Sequence, residues 1–317
     1  MTDIADKPEG LVGVPASAPD ELGEHRTLTA DVWRQFRRHK GAMLGLFIIS
    51  VITLAVFGSW FYSPFGAYDE LNIVDANQGP SMSHPAGTDN LGRDIVARAL
   101  FGGRVSLSVG FAAMVAANLV GVIVGLMAGF MRRLEGPLMR FTDLFLSLPQ
   151  LPILLVAVLY FRETLTSRLG ETFGVFVLVV TVIAAFSWMQ TARIVRGDVL
   201  AVKEEEFVLA AKSVGTGTFG IMLRHILPNV MSSIIVSSAL GVATAILTES
   251  AISFLGLGFP SDVPTWGRLL SDGRNYMPIN IWWTIIPGAL ISLTVLSVNF
   301  VGDGLRDALD PQLRSKN

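Results

Sequence analysis

Few residues in this 317-residue chain have the types and spacing that chemistry needs, and they fall in two places. The first is a polar interval, Glu206-Phe207-Val208-Leu209-Ala210-Ala211-Lys212-Ser213-Val214-Gly215, continuing to His225-Ile226-Leu227-Pro228, set between long apolar runs. Its composition suits a surface to be gripped more than a catalytic pocket. Small Ala210 and Ala211 admit a close partner, Gly215 can turn the chain at positive φ, and Pro228 fits the first turn of a following helix. Helix, turn, short helix and then a membrane span are therefore expected. The second place is Glu249, at the end of an apolar run. An intramembrane carboxylate is expensive and a functional candidate by default. It is expected either to meet a substrate or a partner chain, or to bond a neighbouring helix at the outer interface.

Other chemistry is hard to find. The chain has neither the glycine-rich phosphate loop G-x-x-x-x-G-K-[ST], nor HExxH, nor GxSxG. Zero cysteines exclude disulfides, thiolate metal sites and cysteine nucleophiles. His25, His39, His84 and His225 are far apart and lack ligand spacing on a helix face, so no metal site is expected. The chain reads as no enzyme, with no cofactor of its own.

The elements that must carry these residues are membrane helices. Hydrophobic residues make up 51% of the chain and charged ones only 16%, with a mean hydropathy of +0.54, too apolar for a soluble domain of this length. Lipid is the solvent. A net charge of -2, with no polybasic block or basic aromatic groove, argues against a nucleic-acid partner.

In chain order, residues 1–26 are rich in Pro, Gly, Ala and acids and read as a disordered cytoplasmic tail. Residues 27–40 put Val32, Trp33 and Phe36 on one helical face beside Arg34, Arg37, Arg38 and Lys40, the pattern of a helix lying in the membrane interface. Six charge-poor spans follow at about 41–62, 105–131, 138–161, 172–192, 226–248 and 281–302. About 20 apolar residues suffice to cross the hydrocarbon core. Between them, residues 63–103 are expected to be an external loop, 193–225 a cytoplasmic loop, 253–274 a second structured external loop, and 312–317 a polar tail. Gly121, Gly125 and Gly129 form a stripe that permits close helix contact, most simply within one bundle. Pro149 and Pro152 interrupt the third span, and such a kink either lines a pathway or is merely structural.

With both termini inside, 17 of the 24 Lys and Arg residues are cytoplasmic and 7 external. The positive-inside rule then places the polar interval in the cytoplasm, where ATP is.

The interval resembles the EAA loop of ABC importer permeases, in which Glu-Ala-Ala, three residues, Gly and a later Leu-Pro form two coupling helices that dock on a separate ATPase. Ala210, Ala211, Gly215, Leu227 and Pro228 match. Leu209 stands where the shortest consensus has Glu, and His225 where it has Ile. The peptide-transporter branch is similar to Glu-Tyr/Phe-Val-x-Ala-Ala, which Glu206 to Ala211 matches, so ion pairing to the ATPase is expected at Glu206. Three further stretches resemble the second permease subunit of dipeptide and oligopeptide importers. They are His84-Pro85-Ala86-Gly87-Thr88-Asp89-Asn90-Leu91-Gly92-Arg93-Asp94; Ser253-Phe254-Leu255-Gly256-Leu257-Gly258 with Pro264-Thr265-Trp266-Gly267; and Gly302-Asp303-Gly304-Leu305-Arg306-Asp307-Ala308-Leu309-Asp310-Pro311. Together with the basic N-terminal segment they cover roughly residues 30–311.

The resemblance implies an all-α membrane protein with the type I ABC importer permease fold, six transmembrane helices and an N-terminal interfacial helix. It implies a multi-pass subunit of the bacterial cytoplasmic membrane with both termini inside. Its partners would be a homologous second permease in a heterodimer, two ATPase subunits that bind ATP and Mg²⁺, and an external solute-binding protein. Glu206, Ala210, Ala211, Gly215, Arg224 and Pro228 would couple to the ATPase. Glu249, Pro149 and Pro152 would line the path or meet a partner, and Asp89, Arg93, Asp94 and Trp266 would face the binding protein. Peptide, nickel and glutathione importers share this architecture. The competing reading is a self-contained ion-driven transporter or channel, which predicts charged residues deep in several spans and inverted repeats.

Overall fold

The computed structural model describes residues 28–61 and 66–309. The expected tails at 1–26 and 312–317, and Asp310-Pro311 of the last motif, lie outside them. Among the described residues there are eleven α-helices and no strand, only an isolated bridge between Thr88 and Asp94. Five helices are long and apolar enough to cross a bilayer, and a pair bent by 87° brings the number to six if the pair counts as one span.

Helix α1 (Leu28–Arg38) is amphipathic: Phe36 is buried against Ala42 and Ala308, while Arg34, Arg37 and Arg38 are exposed. His39 ends it and caps α2 (Lys40–Gly58), its Nδ1 accepting the Ala42 N–H over 2.9 Å. Next in the chain is α3 (Ile95–Phe130), whose glycine stripe packs on α6 (Glu171–Val202). A Cβ at Gly121 would lie 2.6 Å from the Trp188 carbonyl, and at Gly125 2.7 Å from Val195 Cβ, so the stripe serves packing inside this chain. The main apolar core gathers Val109, Leu154, Val179, Ile183 and Ile252 from α3, α5 (Gln150–Leu169), α6 and α9 (Leu227–Phe254).

Several boundaries differ from expectation. Helix α3 starts at Ile95, so residues 95–103 of the expected external loop are helical. Its first turns hold Arg98 and Arg104, whose charges are bonded inside the fold and hide the helix from a hydropathy reading. The expected span 138–161 is two helices, α4 (Arg132–Leu146) and α5 (Gln150–Leu169), bent by 87°. Pro149 is the N-cap of α5 and Pro152 stands in its first turn, where a missing N–H breaks no helical bond. Pro137 lies inside α4, and α4 is tied to α6 by ion pairs Arg193–Asp143 and Arg196–Glu135.

Helix α6 runs on to Val202, taking residues 193–202 from the expected cytoplasmic loop, because Val195 and Val199 continue its buried face. After α7 (Glu206–Ser213) and α8 (Thr218–Ile221), a π-helical turn over Met222–Ile226 leads without a break into α9 (Leu227–Phe254). Pro228 sits at its start, as expected. The chain then forms α10 (Trp266–Gly273) and α11 (Trp282–Leu309), the last running seven residues past the expected 302.

Candidate coupling site

The polar interval folds as two short helices joined by a tight turn. Val208 is fully buried and sits in an apolar cluster with Val199, Ile221 and Ile226, which fixes α7 to the ends of α6 and α9. Lys212 adds a second anchor, its Nζ lying 5.5 Å from the centre of the Phe130 ring. Lys203 Nζ donates to the Gly129 carbonyl over 3.2 Å and holds the chain just before α7.

Gly215 makes the turn with φ of +85°, the conformation expected of it. A Cβ there would meet nothing within 4 Å, so the requirement for glycine is conformational and not steric. Ala210 is exposed and Ala211 half-buried. Around them Phe207, Leu209, Val214 and Phe219 are exposed, Val214 at 87% and Phe219 at 71%. Glu206 opens α7, where a negative charge favours the helix N-terminus. Neither Glu206 nor Arg224 makes an ion pair among the described residues, and both are exposed. The arrangement is an apolar, lightly charged knob rigidly rooted in the span ends, and the exposed Phe219 and Val214 were missed in the sequence because a short interval gives no periodicity to read.

Glu249 is not on a path or partner surface: it is fully buried within the chain. Its Oε2 accepts from Ser106 Oγ over 2.9 Å and its Oε1 from Ser253 Oγ over 2.7 Å, so the carboxylate bonds a neighbouring helix. Pro149 and Pro152 are exposed at the α4–α5 bend. A second, partly buried polar contact is not marked in the sequence. Thr191 Oγ1 donates to Asn118 Oδ1 over 3.1 Å, and Asn118 in turn bonds Ser238, joining α6, α3 and α9. Single polar residues inside apolar runs gave no signal for it.

The external motifs also turn inward, which corrects the expectation that they face a binding protein. Asp89 is fully buried; its Oδ2 accepts from Arg93 Nε over 2.7 Å and Arg98 Nη1 over 3.0 Å, and its Oδ1 from the backbone N–H of Leu91 and Arg93. Asp94 caps α3 at Ala97 and bonds His84 Nδ1 over 2.9 Å. Trp266 is fully buried, its Nε1 donating to the Ala99 carbonyl over 2.9 Å. These residues clasp their loops to α3. Arg93 alone of the four reaches a surface, the wall of a cavity of about 730 Å³.

That cavity lies along α10. Burial pushes the Asp272 carboxyl above its usual range against the pull of Arg268, whose Nε is 3.0 Å away. Beside it, Tyr68 is raised by burial, then by Asp69 and Asp262.

The model of the binding-protein-dependent transport system inner membrane component matches residues 117–315, and that of the N-terminal TM domain of oligopeptide transport permease C matches residues 27–80. The chain belongs to the binding-protein-dependent transport inner membrane component family. Among curated relatives, the oligopeptide transport system permease protein OppC of Bacillus subtilis (strain 168) is 38% identical over 91% of each chain. The dipeptide transport system permease protein DppC of Alkalihalophilus pseudofirmus is 39% identical over 90% of each. The glutathione transport system permease protein GsiD of Escherichia coli O1:K1 / APEC is 36% identical over 96% of each. A solved structure of the MetNI methionine ABC transporter, in inward-facing conformations, aligns with a TM-score of 0.53 at 15% identity, over 68% of this chain and 97% of that one. That likeness is one of fold, and the fold is that of a type I ABC importer permease. The family region contains α7, the Gly215 turn and α8 in full.

Proposed function

We propose that this chain is one half of a heterodimeric pore in the bacterial cytoplasmic membrane that imports dipeptides or oligopeptides, with both termini inside. ATP is hydrolysed with Mg²⁺ on two separate ATPase subunits, and an external binding protein delivers the substrate. The α7–α8 knob is the handle: closure of the ATPase pair moves it, and its rigid root in α6 and α9 tilts those spans between inward- and outward-open states. Phe207, Val214 and Phe219 offer the apolar contact, Ala210 and Ala211 the close approach, and Glu206 and Arg224 the ion pairs.

One observation carries this reading: a cytoplasmic-type element anchored by Val208 yet exposing large apolar side chains on its outer side. The peptide substrate is supported by relatives named as oligopeptide and dipeptide permeases. Purification with the natural partners tests it. An associated ATPase stimulated by a peptide-loaded binding protein is the expected result, and ion-driven flux from this chain alone would overturn the proposal in favour of a secondary transporter.

A further inference from the structure

The cavity along α10 is lined by charges of both signs that are set apart. Asp262 precedes the N-terminus of α10 and Asp69 lines the same cavity, both exposed, without an ion pair among the described residues, and close enough together to act on the same Tyr68. Arg274 follows the C-terminus of α10, exposed and likewise without a carboxylate partner. Beside it on the cavity wall is Trp283, 2% exposed, whose indole Nε1–H has no hydrogen-bond partner. A buried donor left unpaired costs free energy that a ligand acceptor would recover. Arg268 and Asp272 between the two ends form an ion pair at 3.0 Å and are neutral as a pair.

The wall therefore presents an anionic end, a neutral middle and an acceptor-seeking cationic end. Between Asp262 and Arg274 in the chain stands α10, whose eight residues are about 12 Å long at 1.5 Å per residue. An extended peptide covers about 3.3–3.6 Å per residue, so a chain of about three or four residues spans that distance between its charged termini. The cavity volume of about 730 Å³ accommodates such a ligand.

Resting on the peptide-importer reading, we propose that this cavity is an outer waiting site for a short zwitterionic peptide. Asp69 and Asp262 hold the ammonium, and Arg274 with the Trp283 indole N–H holds the carboxylate.

The test uses the assembled transporter in nanodiscs without its binding protein, and equilibrium binding of radiolabelled trialanine, N-acetyl-trialanine and trialanine amide. Free trialanine is expected to bind saturably, and each blocked peptide about tenfold more weakly, the loss of one modest charged contact. Asp262→Asn should weaken trialanine and the amide but not the N-acetyl peptide; Arg274→Gln should weaken trialanine and the N-acetyl peptide but not the amide. Absence of saturable binding to the wild type, or variants that weaken all three peptides equally, overturns the site. ATP-driven peptide uptake by the same transporter with its binding protein restored is the parallel readout. Normal uptake beside absent cavity binding removes the site alone, whereas absence of peptide uptake removes the importer reading on which it rests.

Discussion

Ser106 Oγ on α3 donates to Glu249 Oε2 on α9 over 2.9 Å, and the same oxygen accepts the backbone N–H of Trp266, at the start of α10, over 3.2 Å. One hydroxyl thus joins three helices at a fully buried carboxylate that also accepts from the Ser253 and Ser250 hydroxyls. Of the two roles expected of this acid, the structure shows the bond to a neighbouring helix, a clip that joins α3, α9 and α10.

Glu249→Ala should therefore lower stability. It leaves the Ser106 and Ser253 hydroxyls unsatisfied in the core, at a cost of about 1–3 kcal/mol for each group so stranded. Glu249→Gln keeps a carbonyl acceptor and the side-chain volume and should lose less than half as much. Thermal unfolding of the detergent-solubilised complex, followed by size exclusion, ranks the two. An alanine variant as stable as wild type contradicts the clip.

Asp89→Asn should be severe. Arg98 is 1% exposed and would lose its carboxylate, and an uncompensated buried charge costs about 3–5 kcal/mol. Arg93→Gln should cost less, because Asp89 keeps Arg98 and two backbone N–H donors. Expression level and melting temperature of the two variants give the comparison.

The glycine seam makes a positional prediction. Gly125→Ala places a methyl 2.8 Å from the Ala192 carbonyl and 2.7 Å from Val195 Cβ, forcing α3 from α6 at about 1–3 kcal/mol. Gly136→Ala in α4 meets nothing within 4 Å and should stabilise by up to about 1 kcal/mol through helix propensity. Unfolding midpoints of opposite shift are expected.

Much of this was legible in the sequence. Charge-free runs revealed the spans, and the polar interval with Gly215 predicted two helices about a positive-φ turn, which is what forms. Burial of charge was what defeated the rest. Arg98, Asp89 and Asp94 read as an outer loop because one-dimensional hydropathy counts a charge as exposed, whereas here the charges cancel within the fold. The 87° bend between α4 and α5 was announced by Pro149, but whether a proline kinks a helix or starts a new one depends on the register it occupies in three dimensions.

The α7–α8 knob is proposed to transmit the work of a separate ATPase. Uptake and ATP hydrolysis measured together in proteoliposomes, for the transporter carrying wild type, Gly215→Val or Gly217→Ala, test it most directly. Valine at φ of +85° is strained by about 1–2 kcal/mol, though nothing crowds it, so the turn must change shape. Alanine at Gly217, with φ of -66° and open space, is the control. The expected result is continued hydrolysis with uptake per ATP reduced roughly tenfold for Gly215→Val, the scale of such a strain, and normal coupling for Gly217→Ala. Wild-type uptake per ATP in the Gly215→Val transporter would contradict the account.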